Sequence, residues 1–375
     1  MTRAYTRTIT FNSIAQDREV LYSSSAVLNS VKSALERAAQ ESADLSGIDL
    51  LGVNLSGANL EGANLAGARL EDAKLMGTDM SKAVLVAANL KGSCMEFAKV
   101  RYADLSHACL IGVNAWSLQA EGANFTMVSA LECNFTKAVM SGVVMERAVL
   151  DGANFSHAFL TGVRMQKASM RNANLYLASL QHADMQDVDL TGAVLTGANL
   201  RHANLRSCNL RGVEFDAVDV TQTSMQGAQL QCAMIKDCDL SNQDLGDTCL
   251  DHLHCEGSRL VEATLTKATG LGATFIDADL SGANIRQASF TRSNFSHVNL
   301  SRSNLSNSIF IECDFVEVDF SECEITGTIF NKCRFNRCSN AVAMLKQGKD
   351  NCIWAGDEPP ADFADTAIDA VAIVA

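Results

Sequence analysis

Between Leu45 and Phe335, every residue whose number is divisible by five is Leu, Phe, Met, Ile or Val, with five exceptions: Ala115, Ala120, Ala130, Cys255 and Gly270. The register never slips. A helix repeats its faces at 3.6 residues and a strand at 2, so a strict period of five belongs to neither alone. Two places before each of these centres stands a small residue, Ala, Ser, Thr, Cys or Val, with four exceptions: Ile48, Leu118, Gln243 and Leu253. Two places after it, glycine recurs, as at Gly47, Gly52, Gly57, Gly62 and Gly67. One place before it, Asn or Asp is frequent, as at Asn59, Asn64 and Asp104.

These columns have one physical reading. A large residue and a small one two places earlier both point inward if the segment between them is extended. Glycine then supplies a corner, where φ is positive and a Cβ is crowded. Five residues make one short side and one corner. Repetition winds the chain into a coil whose axis is filled in layers, with successive coils hydrogen-bonded as neighbouring strands. Periodicities of this kind define repeat architectures and take precedence over other signals.

The units Ala58-Asn59-Leu60, Ala63-Asn64-Leu65, Ala153-Asn154-Phe155, Ala198-Asn199-Leu200 and Ala203-Asn204-Leu205 resemble the pentapeptide-repeat family over residues 43–337. The resemblance implies an all-β solenoid, a right-handed quadrilateral β-helix with four pentapeptides per coil. The repeats then amount to about 15 coils and a rod about 70 Å long at ~4.8 Å between strands. The family motif is structural, so it carries over no functional residue.

Three segments are expected: a capping segment at 1–42, the β-helix at 43–340, and a C-terminal cap and tail at 341–375. A solenoid's raw edges need covering. Residues 4–11, AYTRTITF, alternate as a strand. Ser23-Ser24-Ser25 offers an N-cap for a helix over AVLNSVKSALERAAQ, with Val27, Leu28, Val31, Leu35, Ala38 and Ala39 on one face. Together they form a small α/β cap. After Asn340, AVAMLKQ reads as a short closing helix with Trp354 packed near it. The tail ADFADTAIDAVAIVA reads as a weak amphipathic helix, a dimerising element or a disordered tail. The family resemblance implies that a homodimer could form through this end.

Cys133, Cys208, Cys238, Cys313, Cys323, Cys333 and Cys338 all fall in the small column, where cysteine serves as a small buried hydrophobe instead of a disulfide half. With no signal-peptide pattern and no run long enough to span a membrane, the expectation is a cytoplasmic protein. Secretion by a signal-peptide-independent route stays open. The net charge of −13 disfavours direct nucleic-acid binding.

A filled coil offers no concave pocket, and no phosphate loop or catalytic triad stands out, so no catalysis and no cofactor are expected. The sharpest cluster is CLDHLHCEG, residues 249–257. Cys232, Cys249, His252 and His254 all point outward, with Cys232 beside His252 on the preceding coil. They are either soft zinc ligands or the polar decoration of a corner. Residues 111–135 hold three of the five alanine, cysteine or glycine centres. There the coil either repairs its underpacking locally or presents Trp116, Leu118 and Leu131 on a bulge. Ile111, Trp116, Leu131, Leu271 and Ile311 form the candidate interaction surface.

The function expected is a non-enzymatic scaffold that holds a protein partner. The alternatives are a DNA mimic acting on DNA gyrase or topoisomerase IV, as in the family's quinolone-resistance branch, and a bacterial effector delivered to a host cell. A mimic needs a DNA-like anionic surface. Bases are instead interspersed on all four sides. The partial acidic ladder of Asp219, Asp239, Asp279 and Asp319 is interrupted by Arg259.

Overall fold

The computed structural model describes residues 9–12, 20–24, 30–340 and 353–355. Two compact units divide the chain, residues 1–189 and 190–375. Both are built from the same lattice. Within each unit, most positions one before a centre pair in parallel with the residue 20 further on, as Asn64 does with Val84 and Asn284 does with Asn304. Four pentapeptides therefore make one coil of a parallel β-solenoid. Its sides are numbered here I to IV, with centres such as Leu65, Leu70, Leu75 and Met80.

Three ladder hydrogen bonds and one turn bond hold a unit. Around Leu60, its own amide donates to the Asp79 carbonyl (2.7 Å), Gly62 N to Ser81 O (2.8 Å), and Asp79 N back to Ala58 O (2.8 Å). Ala63 N closes the corner on Leu60 O (3.1 Å). This corner requires φ > 0 two residues after the centre, as in a type II turn. Glycine is the cheapest occupant, with φ 70° at Gly62. Yet Lys82 (φ 59°), Tyr102 (φ 56°) and many other L-residues adopt the same conformation. Crowding is not the general reason for glycine, since a Cβ at Gly52 or Gly62 meets nothing within 4 Å. The demand is on backbone handedness.

Inward positions are buried except near the two ends of the lattice, where Ala43, Val53, Phe335 and Cys338 are half-buried. Several polar members of the small column donate to the centre carbonyl 23 residues back, on the preceding side of the coil before: Thr78 Oγ1 to Leu55 O (2.8 Å), Thr223 Oγ1 to Leu200 O (2.8 Å), Ser308 Oγ to Ile285 O (2.6 Å). A buried hydroxyl is thereby satisfied. The second unit adds β-strands of three residues, β3 to β13, each spanning the residues either side of Phe215, Ile235, Cys255, Gly270, Phe275, Phe290, Phe295, Phe310, Phe315, Phe330 and Phe335 in turn. There the small column takes the centre carbonyls with thiols, as Cys313 Sγ to Phe290 O (3.4 Å) and Cys333 Sγ to Phe310 O (3.3 Å). The described cysteines are free thiols. Phe275, Phe295, Phe315 and Phe335 stack at 5.1, 5.0 and 4.9 Å along one side.

The small centres are repaired within the lattice. Ala115, Ala120, Ala130 and Cys255 are each preceded two places earlier by a larger residue, Val113, Leu118, Val128 or Leu253, and all eight are buried. The large and small roles have exchanged. Over Gly270 the filling comes from the next coil, for a Cβ there would lie 2.6 Å from the Phe290 ring. Residues 111–135 keep the regular bridges, among them Asn114↔Asn134 and Gln119↔Val139, without a bulge.

At the N-terminal end the sequence reading needs two corrections. The strand is β1, Ile9–Asn12, and it pairs antiparallel with a second strand the reading missed, β2, Val20–Ser24. Ser23 and Ser24 thus lie in a strand. The helix α1 is shorter than expected, Val31–Gln40, with Ser30 as its N-cap. Its buried face is Ala34, Leu35 and Ala38. Lys32 Nζ donates to Ser56 O (2.8 Å) and Glu36 Oε1 accepts from Asn59 N (3.0 Å), so the helix serves edge groups of the first coil. Near the other end, β14, Ile353–Ala355, pairs in parallel with β12, Ile329–Asn331. The closing helix expected over AVAMLKQ, the packing of Trp354's side chain and the tail from residue 361 lie outside the described residues.

Candidate interaction surface

Each unit presents three residues outward: one before the centre, and one and two after it. The first has a fixed structural task. Asn154 Oδ1 accepts from Ser156 N (3.0 Å), Asn124 Oδ1 from Thr126 N (3.0 Å), and Asp104 Oδ1 from Ser106 N (2.9 Å). This Asx turn engages the one amide the ladder leaves over. Sequence reading saw the Asn/Asp column but not its reason.

The same task absorbs the acidic ladder. Asp219, Asp239, Asp279 and Asp319 each accept the backbone amide two residues on, all at 3.0 Å. The Ser241 backbone amide helps hold the Asp239 carboxyl below the usual aspartate range, and the Ser321 hydroxyl and amide do the same for Asp319. Other carboxylates meet bases on the neighbouring coil: Asp49–Arg69 (3.4 Å), Glu61–Lys82 (2.7 Å), Asp79–Lys99 (3.3 Å), Arg101–Glu121 (3.1 Å) and Arg292–Glu312 (2.8 Å). These pairs are exposed, and each contributes little to stability.

The candidate zinc ligands are not brought together. Cys232 and His252 occupy left-handed corners of side II on successive coils (φ 58° and 56°), and Cys249 lies half-buried on the same side. His254 belongs to side III, where Nδ1 meets Thr274 Oγ1 (2.9 Å) and Nε2 meets Glu256 (3.4 Å). Among the described residues no group of three or more His, Cys, Asp or Glu side chains is arranged to hold a metal ion.

Of the five candidate surface residues, Leu271 is exposed, while Ile111, Trp116, Leu131 and Ile311 are half-buried. Ile111 and Leu131 are neighbours on side II of the first unit. Leu271 and Ile311 flank Thr291 in one sheet of the second unit. Trp116 is on side III, edge-on to Phe97 (4.7 Å between ring centres), with Lys137 Nζ 5.7 Å from its ring centre.

A further group of exposed apolar side chains in the first unit lies along the chain at the corner between sides III and IV. Phe159 is 52% exposed, Leu177 42% and Tyr176 41%. The His157 ring stands edge-on to Tyr176 (5.6 Å). Val139 and Ser179 bridge to Phe159 from the coils on either side. Outward residues of these two sides from Asn134 to His182 include one formally charged group, Lys137. Phe159 escaped the sequence reading, although the signal was present: it stands where the lattice wants Asn or Asp.

Eight copies of the pattern described as pentapeptide repeats match residues 43–81, 63–99, 78–114, 132–166, 173–212, 208–242, 271–310 and 299–337. They cover more than half of the chain, which belongs to the pentapeptide-repeat family. No curated protein matches it. Among solved structures, similarity is found to HetL, a pentapeptide repeat protein involved in heterocyst differentiation regulation from the cyanobacterium Nostoc sp. strain PCC 7120. That match has 26% identity, covers 56% of this chain and 94% of that one, and has a TM-score of 0.39. A pentapeptide repeat protein of the Arabidopsis thaliana thylakoid lumen is 29% identical over 30% of this chain and 78% of its own, with a TM-score of 0.27. QnrB1, a plasmid-mediated fluoroquinolone resistance protein, is 16% identical over 62% and 97%, with a TM-score of 0.24. Among the described residues no helix is long and apolar enough to cross a membrane.

Proposed function

We propose that this protein is a non-enzymatic scaffold that docks a protein partner at the corner carrying Val139, Phe159, Tyr176 and Leu177. One observation carries the reading. On a chain of net charge −13, two adjacent sides over successive coils hold Lys137 as their one formal charge and expose three large apolar side chains. Depletion of charge with aromatic enrichment marks the core of protein interfaces. The interior supports the same reading, since its side chains fill the coil and leave the outer columns to act.

Ion pairing across coils weighs against gyrase mimicry, which needs unpaired carboxylates at DNA-like spacing. The effector alternative draws on the non-repeat leader at 1–42. We place the protein in the cytoplasm, in keeping with buried thiols that bond to carbonyls, and we divide it at 42 and 340, between the end of α1 and the first bridges and after the last isolated bridge, Asp319↔Ser339, with β14 beyond that boundary returning to β12.

The test is affinity capture from a lysate with the parent and with Phe159→Glu/Leu177→Glu. Both residues are exposed, so the variant should melt as the parent does and lose the captured partner. Identical capture by both would refute the assignment of the corner. Stoichiometric inhibition of gyrase supercoiling by parent and variant alike would put the mimic in its place.

A further inference from the structure

The charge-poor corner of the first unit is a strip of definite length and pitch. Four successive coils place on it Trp116, then Lys137 with Val139, then Phe159, then Tyr176 with Leu177. Parallel bridges from Gln119 to Val139, on to Phe159 and on to Ser179 tie these layers together. The layer before Trp116 is charged, with Glu96 and Lys99, and closes the strip on that side. Three intervals of about 4.8 Å make it about 14 Å long. A strip that short and one corner wide cannot supply the ~800 Å² that a globular partner covers on each side. It fits a single secondary-structure element.

The backbone of the corner decides which element. Ser117 N donates to Thr136 O (2.9 Å), Lys137 N to Ser156 O (3.0 Å) and His157 N to Tyr176 O (2.9 Å), so these amides are already engaged along the coil. An extended segment laid over them would bury its own N–H and C=O groups without partners, whereas a helix satisfies its backbone internally. Pitch agrees. A helix returns to the same face every ~5.4 Å and drifts about 2 Å from the coils over three intervals. One face of a strand repeats every ~6.8 Å and drifts about 6 Å, more than a whole layer. Three turns of helix, about 11 residues, match the strip from end to end.

Charge completes the match. Lys82, Lys99 and Arg101 each meet a carboxylate of a neighbouring coil. Lys137 instead lies 5.7 Å from the Trp116 ring centre, and among the described residues no carboxylate pairs with it. We propose that the corner receives an amphipathic helix of about three turns, apolar over Trp116, Phe159 and Leu177, with an aspartate or glutamate set against Lys137. In sequence its inner face reads apolar at i, acidic at i+4 and apolar at i+7 and i+11, or, running the other way, carries the acid at i+7. The inference rests on the docking reading of this corner and gives its partner a chemistry.

Selection on the full chain from a phage-displayed library of random peptides, about five helical turns long, tests it. The enriched peptides are expected to carry that apolar and acidic pattern. Lys137→Glu sets like charges together and should weaken their binding about tenfold or more, and changing the peptide's acid to lysine should restore it. A proline at the middle of the peptide should abolish binding. Peptides that lose binding to Phe159→Glu/Leu177→Glu, yet alternate apolar and polar residues or ignore Lys137→Glu, would overturn the helix and leave the docking corner standing. Enriched peptides indifferent to Phe159→Glu/Leu177→Glu, or no enrichment, would overturn both.

Discussion

Leu118→Ala probes the exchange of large and small roles most directly. Leu118 and its centre Ala120 are both fully buried. After the substitution, both inward positions of the unit are alanine. The coil cannot shrink to close the gap, because Gln119 N is held on Ala98 O (2.9 Å) and Ala120 N on Val139 O (2.8 Å), one bond to each neighbouring coil. With relaxation blocked, the cost should lie in the upper half of the Leu→Ala range, about 3–5 kcal/mol. Leu118→Ala/Ala120→Leu rebuilds the ordinary small-then-large unit and should return to within about 1.5 kcal/mol of the parent, as volume-conserving swaps do. Urea unfolding followed by circular dichroism and by Trp116 fluorescence, two residues away, measures both, given an unchanged m value. A loss below about 1 kcal/mol, or a swap no better than the single variant, would refute the account of how these coils are filled.

Gly52 and Gly122 share a left-handed corner (φ 62° and 66°) but differ in surroundings. Gly52→Ala should cost about 1 kcal/mol, for backbone conformation alone. Gly122→Ala should cost more, because its Cβ would lie 2.7 Å from the Tyr102 ring; thermal melts of the two variants check the order. Asp239 and Asp319 titrate below their ordinary value of 3.8 when folded. The stability they contribute is present above that value and lost as pH falls through the lower folded one. Denaturant midpoints should therefore be level above pH 5 with respect to these two groups and fall below about pH 4, less steeply in Asp239→Asn/Asp319→Asn. Burial pushes the Cys133 and Cys255 thiols up to about 12 and Cys238 to about 11. Exposed Cys232 should react first with a thiol reagent at pH 8, and those three should react only on unfolding.

The repeat region is legible from the order of its residues alone. A period of five with inward columns at the centre and two before it leaves a single arrangement that buries both, and the burial pattern follows it from Leu55 to Cys333. The ends are less legible. Three consecutive serines look a better helix start than Ser30, but Ser23 and Ser24 pair with β1. The residues of α1 gain from helix where Lys32 and Glu36 can reach the edge of the first coil. That gain depends on a contact 23 or 24 residues away in sequence, which local propensity cannot register.

The outer surface is the least legible part. The repeat determines which residues point outward, because alternation and corner are properties of one unit. It does not weigh their exposure. Trp116 is half-buried against Phe97, whereas Phe159 stands clear between Val139 and Ser179. Nor does it reveal that carboxylates are spent on Asx turns and on bases of the next coil. Composition and periodicity act along the chain and determined the coil and its core. Exposure, pairing and the uncharged corner arise between residues about 20 apart, one coil above another, and only the tertiary structure decided them.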